Sequence, residues 1–307
     1  MLKLLLVRGA LLFGLLVVMT VLFFGWRLAR NGWVGVDTDF GKSALLKTPP
    51  AALTEPVEVK LVTFNIQALW VVGRDRPARM RAIAGRLAEL DPDVVGFQEA
   101  FVPADRELLV SELKRLTRLQ HHQYYPSANV GSGVMISSAW PLEEVWFHRY
   151  AAHAPAYRFW EGDGLAGKGV GLARIALPGG GVMDFFNTHA QAGYGNPAYK
   201  LVRAEQMREA AAFIREAGTG TGPVFFVGDM NCRAGEPEYD RLVEELSLER
   251  AMAIPSRIDH IFWVPQPRYR IETLETVMLD DKFTEKGRQV QLSDHPGYFS
   301  RVRIIPN

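Results

Sequence analysis

Four short apolar runs in this chain each end on a polar side chain of a kind that does chemistry: Asn65, Glu99, His189 and Asp229. The clearest is Pro223–Asn231, Pro-Val-Phe-Phe-Val-Gly-Asp-Met-Asn. Val224 to Val227 is an unbroken run of β-branched and aromatic residues, the pattern of a buried strand. It stops at Gly228, and Asp229 and Asn231 follow. Residues two apart in an extended chain share a face. A carboxylate and an amide therefore point the same way where the strand leaves the core. Gly, Asp and Asn also make ordinary strand-to-turn exits, so the rest of the chain must decide between a turn and a site.

The chain has 307 residues, enough for one large domain or two small ones. A net charge of +1 gives nucleic acid no global attraction, and nucleic acid is not an expected partner. The single cysteine, Cys232, excludes an intramolecular disulfide and reads as a packed small residue. Gly9 to Trp26 holds no charged residue and one hydroxyl, Thr20. As a helix it extends about 27 Å, close to the thickness of bilayer hydrocarbon. Lys3 and Arg8 precede it, Arg27 and Arg30 follow, and Trp26 and Trp33 sit where interfacial aromatics belong. No small-x-small cleavage site follows the run, so residues 1–30 are expected to be an uncleaved transmembrane anchor. Residues 31–56, rich in Gly, Thr and Pro, are expected to be a juxtamembrane linker.

From residue 57 the chain alternates strands and helices. Val57, Val59 and Leu61 alternate with Glu58 and Lys60 and lead to Asn65. Arg76 to Leu90 has helical spacing, and Asp91-Pro92 ends it. Val94 to Phe97 is a second strand, leading to Gln98-Glu99; a carboxylate there is costly unless paired or bound to a cation. A helix is expected over Asp105–Leu119 and a strand over Ser132–Ser138. Trp140 to Trp160 is dense in aromatics: Trp140, Trp146, Phe147, Tyr150, Tyr157, Phe159 and Trp160. These suit a hairpin core, and some suit lipid or a quaternary ammonium headgroup. Gly162 to Gly171 nearly matches a Walker A loop, but Gly169 replaces the magnesium-binding hydroxyl. A strand pattern follows it where a helix is needed, which excludes a nucleotide loop. The segment remains a loop that carries Lys168 toward a phosphate, with Asp163 as its partner. A strand over Val182–Asn187 leads to His189, and Tyr199–Ala217 and Leu242–Leu248 read as helices. Arg257–Trp263 is a strand holding Asp259 in apolar company. Ser293-Asp294-His295-Pro296 precedes the last strand, Tyr298 to Ile305.

Short turns between several strands favour antiparallel pairs and two layered sheets. Asn65, Glu99, His189, Asp229, Asn231, Asp294 and His295 would then gather at one rim. Oxygen ligands such as Glu99 and Asn65 suit a hard ion, Mg²⁺ or Mn²⁺. Asp294 beside His295 would raise its basicity and fix its tautomer, preparing it to take a proton from water. His189 and Asn231 would donate to charge building on phosphorus.

The order of these motifs resembles the endonuclease/exonuclease/phosphatase superfamily of magnesium-dependent phosphoesterases. The matching pieces are Phe64-Asn65, Gln98-Glu99, Asn187-Thr188-His189, Gly228-Asp229-Met230-Asn231, Ile258-Asp259-His260-Ile261 and Ser293-Asp294-His295-Pro296. The resemblance implies a four-layered α/β sandwich over residues 57–307, with two packed, mostly antiparallel sheets. It implies Glu99 as chief metal ligand with Asn65 nearby, and His295 as general base with Asp294. It also implies His189, Asp229 and Asn231 around the scissile phosphate, with Asp259 in support. Within the superfamily the chain looks most like the membrane-bound neutral sphingomyelinase branch. His189-Ala190-Gln191-Ala192 fits that branch's extended histidine motif, and the loop with Asp163 and Lys168 fits its lysine-containing loop. The expected function is hydrolysis of a phospholipid headgroup with Mg²⁺, sphingomyelin giving ceramide and phosphocholine, by a domain held on the extracytoplasmic side. A nuclease or inositol-phosphate phosphatase of the same superfamily is the alternative, and a catalytically silent membrane scaffold is a third reading.

Overall fold

The computed structural model describes residues 2–33, 38–128 and 130–307, without the side chains of residues 2–7, 24, 27–33, 156 and 159. In chain order the elements are α1 (Leu2–Trp33), α2 (Ala44–Lys47), β1 (Val57–Ala68), α3 (Arg76–Leu90), β2 (Val94–Ala100), α4 (Pro103–Leu116), β3 (His121–Tyr124), β4 (Met135–Ser138), β5 (Leu142–Arg149), β6 (Gly169–Ala176), β7 (Val182–His189), α5 (Ala198–Ala217), β8 (Val224–Asp229), α6 (Pro237–Leu246), β9 (Glu249–Arg250), β10 (Asp259–Trp263), β11 (Tyr269–Leu279), β12 (Lys282–Glu285), β13 (Arg288–Gln291) and β14 (Gly297–Pro306).

Twelve of the strands form two six-stranded sheets, ordered β11-β14-β1-β2-β4-β3 and β5-β6-β7-β8-β10-β9. Within these sheets only β1–β2 and β7–β8 are parallel, among the described residues; both joins cross over through a helix, as parallel neighbours require. Period-two alternation decides what each face meets. In β8, Phe225 and Val227 enter the layer between the sheets, while Val224 and Phe226 face α5 and α6. In β1, Val59 and Leu61 enter the same central layer, and Val62, Phe64 and Ile66 face α3 and α4. Three apolar layers therefore separate helices, sheet, sheet and helices, and the expected four-layered sandwich is observed.

Proline sets two helix starts that differ from the sequence expectation. Pro103 and Pro237 stand in the first turns of α4 and α6, where a missing N–H costs nothing. The aromatic segment divides. Trp146, Phe147 and Tyr150 are buried, Tyr157 and Trp160 are exposed, and the side chain of Phe159 lies outside the described residues.

The linker expected over residues 31–56 is in part a packed strap. Ser43 caps α2 and is buried. Its hydroxyl donates to Glu144 at 2.6 Å and accepts from the buried Arg174 at 2.6 Å. Leu53 is also buried, and its N–H donates to the Tyr269 hydroxyl. The N-terminal segment is the helix α1, with Leu11, Leu12, Phe13 and Leu15 among its exposed side chains. Among the described residues no helix is long and apolar enough to cross a membrane. The transmembrane expectation for residues 1–30 is therefore met by a helix and not by a demonstrated span; the side chains of 2–7, 24 and 27–33 lie outside the description.

Candidate active site

The layer between the sheets changes from apolar to polar along its length. Along β1 the inward positions run Val59, Leu61, Thr63, Asn65; along β7, Met183, Phe185, Asn187, His189; along β8, Phe225, Val227, Asp229. The parallel register sets His189 beside Asp229, and the antiparallel register of β10 sets Asp259 on the other side of Asp229. Three ionisable side chains thus stand abreast at one end of a buried sheet.

Beneath them a buried amide network joins the two sheets. Gln98 Nε2 donates to Asn187 Oδ1 at 2.7 Å and to Thr63 Oγ1 at 3.1 Å. Asn187 Nδ2 donates to the carbonyls of Phe97 and Met135. Gly96 permits this approach: a Cβ there would stand 2.8 Å from Val227 Cγ2 and 2.9 Å from Asn187 Cγ. Both amides lie inside the recognised motifs; their sheet-bridging role has no local sequence signal.

Asn65 Nδ2 donates to Asp229 Oδ2 at 3.0 Å, and Asn65 Oδ1 accepts from the Gln67 N–H. Asn231 takes a positive φ of 52°, and its Nδ2 donates to the Ala190 carbonyl at 3.1 Å. Glu99 also has a positive φ, 57°, where the β1–β2 register shifts. His189 Nε2 lies 4.0 Å from its Oε1. Burial pushes the Glu99 carboxyl up to about 7. Burial and the neighbouring Asp259 charge likewise push Asp229 up to about 7.

His295 pairs differently from the expectation. Its Nδ1 lies 3.0 Å and 3.3 Å from the two carboxylate oxygens of Asp259, and 3.7 Å from Asp229 Oδ2. Asp294 turns instead to Gln67, whose Nε2 donates to it at 2.7 Å. Neighbours in the chain point apart, whereas β10 brings Asp259 under the imidazole. Burial disfavours the charged ring, but the Asp259 hydrogen bond and the charges of Asp229, Asp259 and Asp294 outweigh it. They raise His295 to about 10.

Lys168 is not carried on a free loop. It is 4% exposed. Its Nζ pairs with Asp163 Oδ1 at 2.8 Å and donates to the Ala190 carbonyl at 2.7 Å. It also lies 3.0 Å from His189 Nε2. Burial, and then the charges of Lys168 and His295, hold His189 well below the usual imidazole range. A neutral His189 so placed accepts from Lys168 through Nε2 and does not donate there, and among the described residues its buried Nδ1 has no partner. The other Asp163 oxygen accepts from the Ala192 N–H. Segment 190–192 is held from behind by Gln206 and Arg203 of α5, which contact Gln191 N and O. Sequence reasoning did not single out these two helix residues. Cys232 is a buried thiol raised by burial, as its packed reading requires.

The donor set fits a hard divalent cation. Glu99 is half-buried with no ion pair to Lys or Arg among the described residues, the Asp259 charge raises Asp229, and ligand atoms of Asp229, Asp259 and His295 lie within 4.8 Å of one another. Carboxylate oxygens dominate, and thiolates are absent from the cluster, as Mg²⁺ or Mn²⁺ prefers.

A sandwich of this layering with carboxylates, amides and imidazoles at one rim defines a class that the sequence comparison makes specific. The chain belongs to the Endonuclease/Exonuclease/phosphatase family, whose model matches residues 62–295. It is 28% identical over 278 residues to a putative neutral sphingomyelinase of Drosophila melanogaster, covering 81% of this chain and 61% of that protein. It is 31% identical over 178 residues to an inositol phosphosphingolipids phospholipase C of Schizosaccharomyces pombe, covering 57% of this chain and 41% of that one. The chain thus spans less than two thirds of either relative. Among solved structures, a mutant beta toxin from Staphylococcus aureus with bound magnesium ions shares the fold. Its TM-score is 0.61 at 20% identity, over 82% of this chain and all of that one.

Proposed function

We propose that this protein is a membrane-anchored, Mg²⁺-dependent phosphodiesterase that cleaves a phospholipid headgroup, with sphingomyelin as substrate and ceramide and phosphocholine as products. The observation that carries the proposal is the convergence of Glu99, Asp229, Asp259, His189 and His295, from five separate segments, on one rim. The names of the two relatives support a sphingolipid substrate.

In this reading Asp259 holds the Nδ1–H of His295, and Nε2, in the fraction of the enzyme where it has lost its proton, accepts one from the attacking water. Asp294 contributes to the field that favours the protonated ring. Lys168 places its ammonium beside His189, where it meets phosphate charge, and Asp163 keeps that ammonium in place. Asn231 and Asn65 supply amide N–H groups at the same rim, and Asp229 orders Asn65 beneath it. Glu99 and Asn65 would hold the cation; when bound, it supplies charge neutralisation at phosphate and leaving oxygen. The exposed apolar side chains of α1 support anchoring in a bilayer, and the domain is assigned to the extracytoplasmic side as part of the proposal.

The test is phosphocholine release from sphingomyelin in mixed micelles, with Mg²⁺ and with EDTA. Release that needs the cation and is lost in His295→Ala is expected. Absence of release from any sphingolipid, together with Mg²⁺-dependent DNA cleavage, assigns the chain to nucleases instead.

A further inference from the structure

Outside α1, large apolar side chains exposed among the described residues concentrate at the end of the sandwich that carries the site. Trp70, Val71 and Val72 follow β1 beyond Gln67, and Val71 is 93% exposed. Tyr157 and Trp160 lie between β5 and Asp163, 70% and 67% exposed; Tyr194 follows β7 beyond Ala192, 49% exposed. The Tyr194 hydroxyl stands over Gly162, next to Asp163: a Cβ built at Gly162 would lie 3.6 Å from it, so this second group borders the site.

Both groups are held from below by polar contacts. Arg76 Nη1 donates to the carbonyls of Leu69, Trp70 and Gly73, while its Nε pairs with Asp105 at 2.6 Å. Glu161 accepts from Arg158 and from the Tyr199 hydroxyl. The loop bases are fixed and the apolar tips point outward. Concentrated exposed apolar surface marks a face that something covers.

The strap before β1 says what lies over this end. Leu53 packs at the far end of the strands, with its N–H on Tyr269, which begins β11. Ser43 sits higher, against Glu144 and Arg174. Phe40 meets Phe213 of α5 edge-on at 5.5 Å. Read back from Leu53 to Phe40, the chain passes the last turn of α5, from Ala217 to Phe213. Five residue steps then separate Thr38 from Trp33, the last residue of α1. Their covalent reach is at most about 18 Å. With α1 in a bilayer, that reach holds the domain close to the lipid, and the exposed apolar loops make the site-bearing end the face that suits it.

We propose that the loop carrying Trp70–Val72 and the loops carrying Tyr157, Trp160 and Tyr194 form a docking rim that seats the mouth of the site on the bilayer. Trp and Tyr are the side chains best suited to the headgroup region, and Val71 and Val72 add apolar area beneath it. This deepens the phospholipid reading above, because a rim on the bilayer lets a headgroup enter the site without the lipid leaving the membrane.

The experiment uses the full chain reconstituted in phosphatidylcholine–sphingomyelin vesicles that contain brominated lipid. Quenching of tryptophan emission is compared between wild type and the Trp70→Phe, Trp160→Phe double variant. The proposal expects these two residues to account for a quenched share of wild-type emission that the double variant lacks. Unchanged quenching in the double variant overturns it, whatever the enzyme's substrate. So does crosslinking of the rim between copies of the chain without lipid quenching, which gives the surface to a second copy. A second readout uses Val71→Ser with Val72→Ser. Turnover of vesicle sphingomyelin should fall about tenfold, the equivalent of one buried large apolar side chain. Turnover of a soluble chromogenic phosphocholine ester should hold; an equal fall on both substrates counts against docking. Failure of the wild type on every phosphodiester would sink the functional reading while leaving the quenching result to decide the rim.

Discussion

His295 Nδ1 lies 3.0 Å from Asp259 Oδ2, whereas Asp294, its neighbour in the chain, accepts from Gln67 instead. The imidazole and the carboxylate it pairs with come from the turn before β14 and from β10. Asp259→Asn should therefore lower kcat for phosphocholine release by ~10²–10⁴-fold, the range for a positioned general base. Asp294→Asn should lower it by less than about tenfold, since only a charge near the ring is removed. Steady-state kinetics of the two variants side by side check this; equal losses would return Asp294 to the orienting role.

Lys168 and Asp163 are both buried and 2.8 Å apart. Removing one leaves the other buried and uncompensated, at a cost of about 3–5 kcal/mol. Lys168→Met and Asp163→Asn should each destabilise the fold and reduce turnover. The double variant should recover part of the stability, with a coupling of ~1–3 kcal/mol in a double-mutant cycle by urea unfolding. Additive losses would mean that the pair does not act as a unit.

Gly96 lets the two sheets approach where Gln98 and Asn187 meet. Gly96→Ala should cost about 1–3 kcal/mol through overpacking, because its Cβ meets Val227 and the Asn187 amide. The melting temperature measures this. A variant as stable as wild type would show that the sheets have slack at this point.

His260 is buried beside Tyr239 and Phe262, with Nε2 on the Cys232 carbonyl at 2.9 Å. Burial lowers its pKa from 6.5 to about 4. Between those values the unfolded chain binds a proton that the folded chain does not. Stability from this group is thus full above pH 6.5 and falls as pH drops toward 4, by up to ~3 kcal/mol. His260→Gln should flatten that acid limb in urea unfolding at a series of pH values. An unchanged slope would place the acid sensitivity elsewhere.

Much of the molecule was legible along the chain. The alternation of β1, the apolar runs of β2, β7 and β8, the bounds of α3, and the polar residues where the runs end are all local features of the chain. Side-chain direction alternates wherever the chain is extended, whatever lies around it. The edge strand β11 was hidden because it carries Arg270, Glu272 and Glu275 on a half-exposed surface, which breaks the apolar signal without breaking the pairing to β14. The strap over residues 40–53 was hidden for the opposite reason: its composition is that of a loop, and a buried Arg174 more than a hundred residues away holds it.

What the sequence by itself determined is therefore the inventory: which strands form, and which polar side chains stand at their ends. Only the tertiary structure decided the partners. It gave His295 to Asp259, tied Lys168 down between Asp163 and Ala190, and turned Glu99 out of strand geometry at a register shift. The physical reason is range. Propensity and periodicity act over a few residues, whereas a hydrogen-bond partner is set by which strands lie adjacent, and the packing of the whole sandwich chooses that.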